Sequence, residues 1–293
     1  EIAQCLVGSE MCIRDSISSI LAGVLALSLI GCGGTASNEG TKSDGAKTEA
    51  SNSGDDKVIK IGVTPEPHKG IVDAAKPLLE KEGYTVEITE FNDYVQPNTA
   101  VSEGDLDANF FQHKPYLDEQ NSSKNLGLVS VGGVHVEPMG LYSNTIKSLD
   151  ELKEGATIAI PNDATNEARA LKLLAANGLI EIPDGELITP KDITKNEKKI
   201  EFQELEAASV PRALEDVDAA VINGNYAIPA GFNISTDAII LEGKESDYVN
   251  IIAVKEGNEN LPKIQALVKA LNSDEVKKYI EETYPDGAVV PAF

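Results

Sequence analysis

From Lys57 to Phe293 strand-like and helix-like segments alternate, and that alternation restricts the chain to a few α/β architectures. Val58–Val63 reads as a first strand, Gly70–Lys81 as a helix carrying Pro77, and Tyr84–Phe91 as a half-buried strand by its period of two. Further strands are expected at Leu128–Val136, Ala156–Ile160, Lys199–Glu204, Asp218–Ile222, Ala238–Leu241 and Val249–Val254. Helices are expected over Asn166–Ala176, Val210–Leu214, Leu261–Leu271 and Asp274–Glu282, and Ser148–Glu151 has the spacing of a capping box opening another. Such alternation implies parallel sheets with helices on both faces. The strands are too many for one small sheet, so two lobes with a cleft between them are expected. In open α/β sheets ligands bind in such crevices, at the carboxyl ends of the strands.

Upstream, the chain reads as address and tether. Residues 1–16 carry Glu10 and Asp15 where a secretory n-region would be free of acid, and they look like a translated sequencing-library adapter fused to an incomplete gene. Ile17–Ile30 is an apolar h-region, shorter than the ~20 residues of a spanning helix. Leu29-Ile30-Gly31-Cys32 has the form of a lipobox, so residues 17–31 are expected to be removed and Cys32 to carry the lipid. Two or more acyl chains on that thiol would anchor the protein stably to a membrane, on its extracytoplasmic face. Residues 33–56 hold no large apolar side chain and read as a leash reaching about 25–30 Å.

Charge and cysteine usage narrow the chemistry. With 25 Lys+Arg against 48 Asp+Glu, the surface would repel a phosphate backbone, which excludes a nucleic-acid partner. All three cysteines (Cys5, Cys12 and Cys32) precede the globular region, which therefore lacks disulfides, thiolate metal sites and cysteine nucleophiles. No nucleophile elbow, glycine-rich phosphate loop or metal-ligand helix is present. No cofactor, metal or catalytic residue is expected.

A few residues could hold a ligand. Arg169 falls in the expected first turn of its helix, where a cation opposes the macrodipole unless an anion sits there. Either it grips a carboxylate with its fork, or it pairs on the surface with Glu167 or Asp163. Residues 107–117 (DANFFQHKPYL) place Phe111 and His113 at a strand end just before Pro115, which suits a first helical turn. Phe111 could equally be core and His113 a structural hydrogen-bonding group. Tyr94 has the same ambiguity. Asn223 follows the apolar run Ala219–Ile222 and is either a cleft residue or part of an Asn-Gly turn. Asn250 has the same character, and His68 and His135 show no partner pattern. These residues suit a small zwitterion or anion.

Together Tyr94, residues 107–117, Pro161-Asn162-Asp163, Arg169, Asn223 and Tyr248-Val249-Asn250 resemble the NlpA-type methionine-binding lipoproteins, the substrate-binding components of bacterial methionine ABC importers. The resemblance spans nearly all of residues 57–293. It implies a two-lobed type II periplasmic-binding-protein fold, with crossovers near Leu141–Thr145 and Gly243–Ser246. Lobe I would comprise 57–142 plus 246–293, and lobe II 143–245. It further implies that Arg169 grips the ligand carboxylate and that Asn223 and Asn250 hold the head group. Tyr94, Phe111 and His113 would line the thioether. L-methionine, with D-methionine and methionine derivatives in the same range, would be captured by lobe closure and passed to a permease and its ATPase. The alternatives are a receptor for another small amino acid or a methionine-containing dipeptide, and a lipoprotein hydrolase of amino-acid derivatives.

Overall fold

The strands divide between two sheets, and the chain passes from one to the other twice. The computed structural model describes residues 57–243 and 247–293. The expected adapter, h-region, lipobox Cys32 and leash lie outside the described residues. Among the described residues no helix is long and apolar enough to cross a membrane.

The first sheet opens with β1 (Val58–Val63), α1 (Gly70–Lys81), β2 (Thr85–Glu90), α2 (Gln96–Glu103), β3 (Ala108–His113), α3 (Lys114–Lys124) and β4 (Leu128–Val136). The chain then enters the second sheet with β5 (Gly140–Tyr142), followed by β6 (Thr157–Pro161), α4 (Ala164–Ala176), β7 (Glu201–Leu205) and α5 (Val210–Ala213). That sheet is completed by β8 (Ala219–Ile222), α6 (Gly224–Ala227), α7 (Ile234–Asp237) and β9 (Ile240–Leu241). A return to the first sheet supplies β10 (Val249–Lys255), α8 (Pro262–Leu271), α9 (Asp274–Thr283) and β11 (Val290–Pro291). The strand orders are β11-β4-β10-β3-β1-β2 and β7-β6-β8-β5-β9.

Each sheet is covered on both faces, as expected. In the first lobe Ile59, Ile61 and Phe110 pack against Ile71, Leu267 and Ile280, while Val101, Leu117 and Ile251 fill a smaller core. In the second, Ile158, Leu171 and Val221 form one core and Ala220, Val210 and Ile222 another. Strand direction departs from the all-parallel expectation. β10 runs antiparallel to β3 and β4, and β5 antiparallel to β8 and β9. Both β5 and β10 are the strands by which the chain arrives from the other lobe, so they enter from the cleft end instead of returning through a helix.

Two further expectations are corrected. Gly140–Tyr142 belongs to the second sheet, so the first passage is residues 137–139, ahead of the expected boundary at 142/143. The second passage lies between Leu241 and Val249, and its expected boundary at 245/246 falls on residues outside those described. Ser148 stands at the N-cap of a single 3-10 turn, Leu149–Glu151, without the capping-box bonds: its side chain takes no backbone N–H, and the Glu151 carboxylate accepts the Lys147 N–H instead of that of Ser148.

Helix α2 had no expected counterpart. Polar Gln96-Pro97-Asn98-Thr99 hides its periodicity, and Asn98 is nonetheless fully buried. Its amide donates to Gln112 Oε1 at 2.8 Å, and its oxygen accepts from Gln112 at 2.6 Å and from Asn109 at 2.8 Å. This closed amide network ties α2 to β3, the strand that carries Phe111 and His113. Asn98→Ala strands two buried amides and is expected to cost about 1–3 kcal/mol of stability in urea titrations; a loss below about 0.5 kcal/mol would show the network to be dispensable.

Candidate ligand-binding site

Strand register builds one wall of the cleft. Across three neighbouring strands His113, Asn250 and His135 stand in one row, with Asn250 between the two histidines. On β3 the register slips beside this row, pairing Gln112 with Ile251 but Phe110 with Ile252. Phe111 is the extra residue of that bulge, a device that re-aims a side chain at a site. The opposite wall comes from the ends of β6 and β8: Asp163 caps α4, which carries Asn166 and Arg169, and Asn223 precedes α6.

All six residues expected from the sequence line a single cavity: Tyr94, Phe111, His113, Arg169, Asn223 and Asn250. Gln112, Tyr116, Glu137, Asn166, Gly224 and Asn225 complete it. Phe111 and His113 are thus cleft residues and not part of the main cores. Tyr94, Phe111 and Tyr116 form an aromatic corner with ring centroids 5.8–6.1 Å apart. The Tyr94 hydroxyl donates across the cleft to Asn225 Oδ1 at 2.5 Å, and Tyr226 reaches the Asn92 carbonyl at 3.2 Å. The lobes are therefore in contact over the cavity.

Arg169 is 4% exposed, and it is neither in the first helical turn nor in the surface ion pair that the sequence allowed. It sits on the second turn of α4, since the helix begins at Ala164. The helix N-terminus is already taken by the Asp163 carboxylate, which accepts the Asn166 N–H at 3.0 Å. Arg169 pairs with neither Glu167 nor Asp163. Its Nε donates to Glu242 at 3.0 and 3.2 Å, its Nη2 to Glu242 and to the Glu137 carbonyl at 2.9 Å, and its guanidinium lies 4.3 Å from the Tyr248 ring centroid. Among the described residues Nη1 makes no hydrogen bond.

The amides are oriented by a relay. Asn166 donates to Asp163 at 3.0 Å, and its oxygen accepts from Asn223 Nδ2 at 2.8 Å and from His113 Nε2 at 3.2 Å. His113 Nδ1 accepts the Tyr116 N–H at 3.1 Å, which fixes the tautomer. Burial, then the charge of Arg169, pushes this imidazole down to about 3, so it is neutral and offers only its ring to a ligand. Asn223 Oδ1 and Asn225 Nδ2 are buried without a partner among the described residues, one acceptor and one donor beside the cavity.

Glu137 is one of the lining residues that sequence reasoning missed. It follows β4 in the first passage, where only its placement in three dimensions reveals a role. His135 Nε2 lies 2.7 Å from its Oε1, His68 Nε2 at 3.4 Å and Asn250 Nδ2 at 3.4 Å. His68 in turn bonds Thr64 at 2.7 Å and Asn250 Oδ1 at 3.2 Å. The approach of α6 depends on Gly224, because a Cβ there would stand 2.9 Å from that of Glu137. His68, His135 and Glu137 have donor types that metals favour. They are already bonded to one another, and we read them as a network that holds the carboxylate. Burial raises Glu137 to about 7 against the lowering influence of His68, Arg169 and the Asn225 N–H. Burial also lowers His68 to about 4 and His135 to about 3, so both are neutral.

The fold and this cleft define a two-lobed substrate-binding protein. The model of the NlpA lipoprotein family matches residues 59–293, and the chain belongs to that family. It is 44% identical over 239 residues to the membrane lipoprotein TpN32 of Treponema pallidum, covering 81% of this chain and 89% of that protein. It is 44% identical over 236 residues to the D-methionine-binding lipoprotein MetQ of Escherichia coli, covering 79% and 87%. The structure of a Burkholderia cenocepacia nutrient binding protein bound to methionine superposes with a TM-score of 0.78 at 45% identity, covering 80% of this chain and all of that one.

The raised Glu137 has a consequence for stability. Its folded value exceeds the ordinary carboxylate value, so the folded state holds a proton that the unfolded state has lost between about pH 4.5 and 7. Its contribution to stability therefore falls as pH rises through that window. Glu137→Gln keeps the acceptor oxygen and removes the charge. Its melting temperature is expected to gain on the wild type between about pH 5 and pH 8, the histidine contributions cancelling in the difference. A difference independent of pH would show that Glu137 titrates normally.

Proposed function

We propose that the protein captures methionine by lobe closure as the substrate-binding component of an ABC importer. The observation that carries this is the composition of one buried cavity. A cationic fork faces a buried carboxylate and two amide atoms, and among the described residues one nitrogen of the fork and both amide atoms are unpaired, beside an aromatic corner. The ligand carboxylate meets Arg169, which stands for the anion end. Its α-ammonium meets acceptors on Asn223 and Glu137, with Asn250 donating to that same carboxylate. Tyr94, Phe111 and the His113 ring receive the thioether, whose sulfur gains ~0.3–1.5 kcal/mol against aromatic edges.

Relatives named for D-methionine and for methionine both support the ligand class. No serine, threonine, cysteine or lysine lines the cavity among the described residues, and His113 has both nitrogens engaged. A binding role is therefore favoured over a hydrolase. Contacts such as Tyr94–Asn225, made only when the lobes meet, are the means by which a ligand that bridges them shifts the population toward the closed form. That form would dock on a permease whose ATPase drives import, with Cys32 holding the protein by its lipid to the extracytoplasmic face of the membrane.

Native mass spectrometry of the purified protein is expected to show a mass increment equal to methionine. Arg169→Ala leaves the ligand carboxylate unpaired and is expected to weaken binding by about 2–5 kcal/mol, measured by calorimetry. Wild-type affinity in that variant, with the fold intact, would remove Arg169 from the site.

A further inference from the structure

Glu242 lies outside the cavity lining, yet it determines the charge that the cavity presents. Its carboxylate takes the Nε edge of Arg169 at 3.0 Å and pairs with Nη2, in an ion pair whose side chains are 5% and 17% exposed. It is also fixed to the other passage. The Glu242 N–H donates to the Met139 carbonyl at 2.9 Å, and the Met139 N–H returns to the Glu242 carboxylate at 3.3 Å. Bonds from both passages thus hold this carboxylate beside the guanidinium.

The charges around the cavity then add up in one direction. The guanidinium is offset by Glu242, while His68, His113 and His135 are neutral. Glu137 and, through Asn166, Asp163 are the remaining charges bonded into the lining, and each is negative when ionised. A bare arginine in so dry a site would attract any carboxylate of suitable shape. One already neutralised still offers Nη1 as a donor but lacks the net positive charge to hold an isolated anion. Specificity of this kind comes from what a site repels as much as from what it attracts.

We propose that Glu242 is a specificity-determining residue: by neutralising Arg169 it makes the cleft take a carboxylate only when an ammonium group accompanies it. The ligand class is thereby narrowed to zwitterions, and keto acids and simple thioether carboxylates are excluded. This rests on the amino-acid reading of the site. It assigns to the second passage a role beyond that of a hinge.

The test uses methionine and its two half-ligands in competition calorimetry: methioninol, which keeps the amine, and methylthiobutanoate, which keeps the carboxylate. The wild type is expected to bind methioninol more tightly than methylthiobutanoate. Glu242→Gln is expected to improve methylthiobutanoate relative to methionine by about tenfold or more. Glu242→Asp, which restores the charge, is expected to return the ratio toward that of the wild type. Methylthiobutanoate binding the wild type as well as methioninol would overturn the proposal. So would a folded Glu242→Gln in which all three ligands weaken together, since that is the signature of a purely structural ion pair. Where Glu242→Gln does not fold, the wild-type comparison of the two half-ligands decides. A wild type that ignores methionine altogether would instead overturn the amino-acid reading beneath it.

Discussion

A guanidinium buried to 4% exposure cannot stand without partners, and those Arg169 finds come from both passages between the lobes. The Glu137 carbonyl belongs to the first and the Glu242 carboxylate to the second. Tyr248, at the end of the second, stacks on the same group. One side chain of the second lobe is thus fastened to the two strips of chain about which the lobes would move. A ligand carboxylate on Arg169, as proposed, would act directly on the segments that set the interlobe angle.

The other end of the site depends on strand direction. Because β10 runs antiparallel to its neighbours, its first residues lie beside the last residues of β3 and β4. Asn250 therefore sits between His113 and His135 at the cleft end of the sheet. The histidines serve different purposes there. His113 is bonded through Asn166 to the second lobe, whereas His135 and His68 turn toward Glu137. Both arrangements keep imidazole neutral in a dry setting, where burial opposes a charge.

Much of this was legible in the sequence, for reasons that differ by element. β1, β4 and α1 have strong apolar periodicity, and their expected bounds agree with those found. Strand ends followed by polar or aromatic residues pointed to Phe111, His113 and Asn223, whereas the helix position that singled out Arg169 set it one turn too early. The family resemblance assigned them roles. What stayed hidden was non-local. α2 is held by an amide network that no periodicity marks. Glu137, His68, Asn166 and Glu242 acquire meaning only through partners distant in the chain, as with Arg169 and Glu242, which are 73 positions apart. The directions of β5 and β10 were equally hidden, because a strand–helix alternation does not record which end of a sheet the chain enters after changing lobes.

The central claim is that one cavity holds a zwitterion with its carboxylate on Arg169 and its ammonium toward Asn223 and Glu137. A crystal structure of the protein with methionine tests it most directly. The account predicts the carboxylate within hydrogen-bond distance of Arg169 Nη1, the thioether against Phe111 and Tyr94, and the Arg169–Glu242 pair intact. A ligand bound in the reverse sense, with its ammonium beside Arg169 or with Glu242 displaced from the guanidinium, would contradict it.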